Sequence, residues 1–175
     1  MPIELLTGDV LNSGAEAVTL TIDGAAKGMG GNISRQFARR WPEDWEDIER
    51  ALRFPIALGR TVAIAHDGDC PFKLILFAST LHHVGVVDDE EKRGIIRSAF
   101  GDAIHHAAEH RVSSMATAVM TGGWRLPAVQ ALRAMAAMAR SLSALAPALR
   151  IELYLPGDMD LASTRDAGRE EGWLW

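Results

Sequence analysis

Short apolar runs alternate along this chain with longer runs whose apolar residues recur at helical spacing. The short runs are rich in β-branched and aliphatic residues and predict strands; they cover residues 3–6, 17–22, 60–65, 73–79, 115–120 and 149–155. The longer runs predict helices that begin near Asn32, Pro42, Asp88 and Pro127. We predict that Asn32 caps the first of these helices. The acidic residues from Asp88 onward suit the positive end of the longest helix.

Strands that alternate with helices predict an α/β fold, a three-layer α/β/α sandwich around a mixed, mostly parallel six-stranded sheet. The connection at residues 66–71 is short and rich in turn residues, and it predicts an antiparallel pairing of the third and fourth strands. A chain of 175 residues accommodates one well-packed domain. We assign residues 1–159 to that domain, while the polar tail at 160–175 has no predicted position.

Two glycine clusters each follow a predicted strand and precede a predicted helix. The first is Lys27-Gly28-Met29-Gly30-Gly31-Asn32, and the second is Thr121-Gly122-Gly123-Trp124. Glycine allows the backbone to approach a ligand closely, and the start of a helix presents unpaired N–H groups and a positive dipole to an anion. A glycine turn is also an ordinary link between a strand and a helix. Two such loops in one small domain indicate a diphosphate held from both sides.

Charge and composition narrow the classes of partner. The net charge is −5 and no dense cluster of lysine and arginine occurs, which argues against DNA or RNA polymers but not against a small anion bound by backbone N–H groups. No apolar stretch is long enough to span a membrane, and the N-terminus does not have the pattern of a signal peptide. With one cysteine, Cys70, we expect a cytoplasmic protein in which this residue packs at a turn.

The sequence contains no pattern typical of a metal site or of a known cofactor motif. The adjacent pairs His82-His83 and His105-His106 point to different faces, and we interpret them as surface or core residues. There is neither a nucleophile elbow around a serine nor a phosphate-binding loop with a lysine followed by Ser or Thr. We therefore expect no cofactor and no metal.

Taken in order, several segments resemble those of macro domains, which are ADP-ribose-binding modules. They are Thr7-Gly8-Asp9-Val10 after the first strand, Glu16-Ala17-Val18 at the second, the glycine loop with the helix from Asn32, Gly59-Arg60-Thr61-Val62-Ala63-Ile64, and the fifth strand continuing into Thr121-Gly122-Gly123. The resemblance covers roughly residues 3–158. No single segment is specific, but their order and spacing are.

The resemblance implies a role for each part of an ADP-ribose site. Asp9 would accept a hydrogen bond from the adenine amine, with the N–H of Val10 beside it, and Tyr154 would pack against the adenosine. The two loops would hold the diphosphate and the distal ribose through Gly28, Gly30, Gly31, Asn32, Thr121, Gly122, Gly123 and Trp124. Asp9 as a simple turn residue and Tyr154 as a core residue are the alternatives.

The chain departs from the macro-domain pattern where hydrolytic members carry their chemistry. In members that hydrolyse ADP-ribosyl esters the second strand usually ends in an asparagine-containing segment, whereas this chain has Thr19-Leu20-Thr21-Ile22-Asp23 there. Asp23 is the one candidate general base. A second branch uses a lysine where this chain has Thr80. We therefore expect a binding module, with an ADP-ribosyl hydrolase as the first alternative and a scaffold that binds no ligand as the second.

Overall fold

A computed structural model describes residues 1–25, 27–28, 30–81, 88–121, 126–170 and 172. Within them lies one six-stranded sheet in the order β1-β6-β5-β2-β4-β3. The strands are β1 (Ile3–Leu6), β2 (Ala17–Asp23), β3 (Thr61–Ala65), β4 (Leu74–Leu81), β5 (Ser114–Ala118) and β6 (Arg150–Tyr154). All neighbouring pairs are parallel except β3 and β4, which are antiparallel as the short connection predicts.

Five helices accompany the sheet in the described part of the chain: α1 (Asn32–Arg40), α2 (Pro42–Ala51), α3 (Asp89–Glu109), α4 (Ala128–Ser141) and α5 (Leu161–Glu170). Pro42 begins α2 because its missing N–H and fixed φ suit the first helical position. The Asp88 side chain caps α3 by accepting a hydrogen bond from the N–H of Glu91. No described helix has the combination of length and apolarity needed to cross a membrane.

The side chains of the sheet alternate between two cores, one on each face. On β4, Leu74, Leu76 and Ala78 pack into the core that contains α3 and α4. Ile75 and Phe77 pack into the opposite core, against α1 and α2. This alternation follows from the two-residue period of a strand, and it produces the predicted three-layer α/β/α sandwich.

The start of α1 corrects one prediction. Asn32 is the first helical residue, the capping position belongs to Gly31, and no side chain caps the helix. The N–H of Gly31 instead donates to the carbonyl oxygen of Thr21 at 3.2 Å. A Cβ on Gly31 would lie 2.5 Å from that oxygen, so the close approach of helix and strand requires glycine.

The C-terminal tail forms α5, which packs beside β1. The Arg165 guanidinium donates to the carbonyl oxygen of Leu5 at 2.7 Å. Met159 and Leu161 pack against the α3 and α4 core. No position is predictable for this segment because most of its residues are polar. Its apolar cluster at residues 173–175 lies outside the described residues.

Candidate ligand-binding cleft

Two adjoining cavities lie beyond the carboxyl ends of the central strands, where ligands bind in open α/β sheets. The larger has a volume of about 590 Å³ and the smaller about 380 Å³. Both are lined by Asn32 and Ile33 from the start of α1 and by Ala118 and Val119 from the end of β5. The two cavities therefore form one cleft divided by the N-terminus of α1.

The larger cavity lies between the first glycine loop and the ends of β2 and β4. Asp23 and Thr80 come from those strand ends, and Gly28, Gly30 and Gly31 come from the loop. Thr121 lines the opposite side. The cavity is also lined by Thr21, Ile22, Arg35, Leu81 and Met120.

The first glycine loop is held against β2 by backbone contacts. Ile22 and Gly30 form an isolated antiparallel bridge, and the Ser34 hydroxyl donates to the carbonyl oxygen of Thr21 at 3.0 Å. Gly28 has a φ of +82°, a conformation that favours glycine. These features shape the loop into one wall of the larger cavity.

The N-terminus of α1 makes the adjoining part of the cleft suitable for an anion. Its first turn contains no acidic residue, and Arg35 adds an exposed cation that lines the larger cavity. Unpaired N–H groups and the helix dipole at such a terminus attract anions. Lys27 makes a long ion pair of 3.5 Å with Glu49, so part of its charge is already compensated.

Asp23 is the last residue of β2 and lies at the base of the larger cavity. Its side chain is buried, and Oδ1 accepts a hydrogen bond of 2.8 Å from the N–H of Ala25. Thr80, also buried, lines the same cavity from β4. The structure thus brings the predicted base and the threonine at the lysine position to one end of the cleft.

The smaller cavity contains Gly8, Asp9, Val10 and Tyr154. Asp9 caps the short 3₁₀ helix Val10–Asn12 through Oδ1, which accepts from the N–H of Leu11 at 2.9 Å. Its Oδ2 accepts from the Arg40 guanidinium at 2.7 Å, and Arg40 also donates to Asn12. The turn role considered for Asp9 is therefore present, and the same residue lines the cavity.

Tyr154 ends β6 and contributes one wall of the smaller cavity while also packing against the α1 and α2 core. Its hydroxyl group lies 3.3 Å from Oε2 of the buried Glu152. Burial and the nearby carboxylate raise the pKa of Tyr154 to about 12, so the phenol stays protonated at neutral pH.

The structure assembles most of the predicted site residues into this one cleft. Those that line it are Asp9, Val10, Asp23, Gly28, Gly30, Gly31, Asn32, Thr121 and Tyr154. The predicted residues Gly122, Gly123 and Trp124 lie outside the described residues. Sequence reasoning missed Arg35 and Gln36, although both lie within the first turns of α1, directly after the glycine loop that predicted the site.

No family model and no curated protein matches this chain, but solved structures do. It is similar to the macrodomain of Mycobacterium tuberculosis DarG, with 23% identity over 89% of this chain and 98% of that one and a TM-score of 0.71. An Oceanobacillus iheyensis macrodomain solved with ADP has 12% identity, coverages of 97% and 90%, and a TM-score of 0.79. A Trypanosoma brucei macrodomain in complex with ADP-ribose has 18% identity, coverages of 94% and 68%, and a TM-score of 0.72.

These likenesses extend over nearly the whole chain, while the sequence identities are low. They agree with an α/β fold built on a mixed, mostly parallel six-stranded sheet. The chain is a divergent protein with the macrodomain fold.

Proposed function

We propose that this protein binds ADP-ribose, or a closely related ADP-ribosyl metabolite, in the two-cavity cleft. The observation that carries the proposal is the division of the cleft by the N-terminus of α1, with one cavity on each side. ADP-ribose has a matching layout, because its central diphosphate joins an adenosine to a second ribose. An anion at a helix N-terminus with a neutral or apolar group on each side fits this arrangement.

The smaller cavity suits the adenosine. Asp9 supplies carboxylate oxygens for the exocyclic amine of adenine, and Tyr154 supplies an aromatic surface. A carboxylate has about four lone-pair sites. The two hydrogen bonds that Asp9 accepts from Leu11 and Arg40 leave capacity for a third.

The larger cavity suits the diphosphate and the distal ribose. Gly28, Gly30 and Gly31 present backbone next to the start of α1, and Arg35 can contribute a charge-assisted hydrogen bond to a phosphate. The distal ribose would extend toward Asp23 and Thr121. Two of the similar structures contain ADP or ADP-ribose, which supports the choice of ligand.

A thermal-shift panel of ADP-ribose, ADP, AMP and NAD tests this proposal. A ligand present at 100 times its dissociation constant stabilises the folded state by about 2.7 kcal/mol. We expect ADP-ribose to raise the melting temperature most, and AMP, which lacks the groups that occupy the larger cavity, to raise it least. No shift with any of these ligands would instead identify a scaffold that has lost binding.

Hydrolysis of an ADP-ribosyl bond is the second candidate activity, and the position of Asp23 at the cavity base is the observation that favours it. A carboxylate there can orient or deprotonate a water molecule. It also meets the repulsion of a nearby diphosphate, which disfavours its ionised form. Because the chain lacks both the asparagines and the lysine of hydrolytic members and has only Asp23 as a candidate base, we expect turnover to be weak or absent.

Asp23→Asn separates the two activities. The substitution removes the base while it keeps the size of the side chain and an oxygen able to accept from the N–H of Ala25. If incubation with ADP-ribosylated substrates gives turnover that Asp23→Asn abolishes while ADP-ribose binding is retained, the protein is a hydrolase with Asp23 as its base. No turnover in either protein supports a binding module.

A further inference from the structure

A second cluster of chemically reactive side chains lies at the opposite end of the strands from the cleft. His66 follows β3 and Cys70 precedes β4; because these strands are antiparallel, with Ala65 paired to Leu74, the two residues lie by the amino end of β4. Asp44, in the first turn of α2, faces them. The cluster thus joins α2 to the β3–β4 connection.

The three side chains offer one ligand atom each within a small volume. Asp44 carboxylate oxygen, the His66 ring nitrogen and Cys70 Sγ all lie within 4.8 Å of one another. Asp44 Oδ1 is 3.1 Å from His66 Nε2, and both side chains are at most 10% exposed. Cys70 is buried as well. Metal–ligand bonds of about 2.0–2.3 Å place neighbouring ligand atoms about 3–4 Å apart, so small side-chain adjustments would bring all three atoms to one ion.

His66 Nε2 is the atom that ordinary packing leaves unexplained. It is buried, and no described protein group meets hydrogen-bond geometry with it, although Asp44 Oδ1 is close. Gly68 packs directly against both atoms, because a Cβ there would lie 2.2 Å from Asp44 Oδ1 and 2.3 Å from His66 Nε2 and would displace one of these side chains. A buried polar nitrogen without a hydrogen bond is costly and calls for a partner.

A purely structural role for Asp44 accounts for only part of the cluster. Asp44 Oδ2 accepts from the N–H of Cys70 at 2.7 Å, and Oδ1 accepts from the N–H of Asp69 at 3.2 Å. These hydrogen bonds explain why a carboxylate is buried here. These two backbone hydrogen bonds do not use the His66 ring, and the Cys70 thiol, which also interacts with the Asp44 carboxylate, makes a weak hydrogen bond of 3.6 Å to the carbonyl oxygen of Phe72.

We propose that Asp44, His66 and Cys70 bind a zinc ion. Zinc takes carboxylate oxygen, imidazole nitrogen and thiolate sulfur together, and a water molecule can complete a tetrahedral site with three protein ligands. Binding replaces the thiol proton of Cys70, which passes to solvent. The two positive charges of zinc then balance the carboxylate and the thiolate, so no net charge is buried.

The zinc ion would link the first turn of α2 to the connection between β3 and β4. The site and the cleft lie at opposite ends of the strands, so the zinc ion would not contact the ligand in the cleft. We therefore expect zinc to contribute to the stability of the fold. A ligand that binds only the folded state stabilises it in proportion to the logarithm of its concentration over its dissociation constant. We therefore expect zinc to raise the melting temperature of the protein.

The test uses the full chain, freed of metal with a chelator and titrated with Zn²⁺ against a chromophoric competitor. Co²⁺ serves as a spectroscopic probe, because a thiolate ligand gives a sulfur-to-cobalt charge-transfer band. The variants are Cys70→Ala and His66→Gln, and His110→Gln, which alters an exposed histidine elsewhere, is the matched control. Circular dichroism and a cooperative melt without metal establish that each variant folds.

We expect the protein and His110→Gln to bind one equivalent of zinc, to show the charge-transfer band and to melt at a higher temperature with Zn²⁺. Cys70→Ala should lose the band, and both cluster variants should bind zinc at least about tenfold more weakly. The proposal is wrong if the protein binds no stoichiometric zinc. It is also wrong if folded Cys70→Ala binds as well as the unaltered chain, or if His110→Gln weakens binding as much as His66→Gln.

Discussion

Asp9 combines a structural and a proposed binding role at the scale of a single residue. One carboxylate oxygen caps the 3₁₀ helix at Leu11, and the other forms an ion pair with Arg40. The ion pair is half-exposed and contributes little to stability on its own. It does fix the direction of the carboxylate, which leaves Asp9 oriented at the wall of the smaller cavity.

Replacing Asp9 with alanine should weaken ADP-ribose binding by about 1.5–3 kcal/mol, the range for a hydrogen bond to a charged group, or roughly 10- to 150-fold in dissociation constant. Calorimetry measures the change. Asp47→Ala is the matched control, because it also removes an aspartate paired with an arginine, on the exposed surface of α2. If Asp9→Ala binds ADP-ribose as tightly as Asp47→Ala does, Asp9 is a turn residue only.

Individual residues were predictable where the signal was local. Asp9 lies shortly after β1, and Gly30 and Gly31 lie between β2 and α1, so the sequence places them in the connections that follow two strands. Arg40 was not predictable as a partner of Asp9, because the contact joins the last residue of α1 to a segment far from it in the sequence. The zinc ligands proposed above escaped notice for the same reason, since Asp44 belongs to a different element from His66 and Cys70.

At the scale of elements, Gly31 determines how closely the start of α1 approaches β2. Gly31→Ala would place a methyl group 2.5 Å from the carbonyl oxygen of Thr21, which must push the start of α1 away from the strand. We expect a loss of about 1–3 kcal/mol in the free energy of unfolding, as for other overpacked sites. ADP-ribose binding should weaken as well, because the same shift moves the N–H groups that face the diphosphate.

Gly14→Ala is the matched control for Gly31→Ala. A Cβ there meets no atom within 4 Å, and its φ is not in the left-handed region. Chemical denaturation and calorimetry on both variants should therefore show that Gly14→Ala changes little. Equal behaviour of the two variants in both measurements would contradict the proposed constraint on the loop.

The Glu16 side chain forms hydrogen bonds between the segments that precede three parallel strands. Glu16 directly precedes β2. Its Oε1 accepts a hydrogen bond of 2.7 Å from Nζ of Lys73, which precedes β4. Its Oε2 accepts hydrogen bonds from the N–H and the hydroxyl of Ser113, which precedes β5. These contacts, with the Lys73 hydrogen bond the largest, lower the pKa of Glu16 to about 2. We expect Glu16→Gln to cost roughly 1–2 kcal/mol at neutral pH after solvent screening.

The sign of the pH dependence follows from the lowered pKa. A group whose pKa is lower in the folded state stabilises the protein fully above its unfolded value and loses that contribution as the pH falls. The stability gap between the protein and Glu16→Gln should therefore hold above a pH of about 4.5 and close as the pH falls toward 2. Glu46→Gln, at an exposed position of α2, should show no such gap in the same denaturation series. A gap for Glu16→Gln that stays constant with pH would exclude the ionised contacts as its cause.

Element boundaries were predictable where propensity and burial agree. All six strands were predicted, along with the antiparallel pairing of β3 with β4. The predicted end of β5 was too late by two residues, since the strand stops at Ala118 and the chain turns through Val119 toward the cleft. The capping role assigned to Asn32 was wrong, because a backbone contact with β2 decides where α1 begins.

The whole molecule depends on packing that the pattern of single segments does not reveal. The order of strands places β6 between β1 and β5, which no local signal specifies. Leu161 of α5 and Met159, which precedes the helix, pack against the α3 and α4 core. The sequence does not predict this packing, because Arg165 and other polar residues make up most of the C-terminal tail.

Truncation after residue 159 tests the boundary assigned to the domain. The shorter chain keeps every strand of the sheet, but it loses the Arg165 contact to β1 and exposes part of the core. We expect a folded protein of lower stability, by about 1–3 kcal/mol for the burial of one or two large apolar side chains. Circular dichroism and denaturant titration measure this, and a truncated chain that fails to fold would extend the domain to α5.

Calorimetric titration of the unaltered protein with ADP-ribose and with AMP tests the central claim most directly. The two ligands share the adenosine and one phosphate, and they differ in the groups that the first glycine loop, the start of α1 and the larger cavity would bind. We predict that ADP-ribose binds at least about tenfold more tightly than AMP, a difference of about 1.4 kcal/mol or more. Equal affinities would contradict a cleft that holds both halves of the ligand.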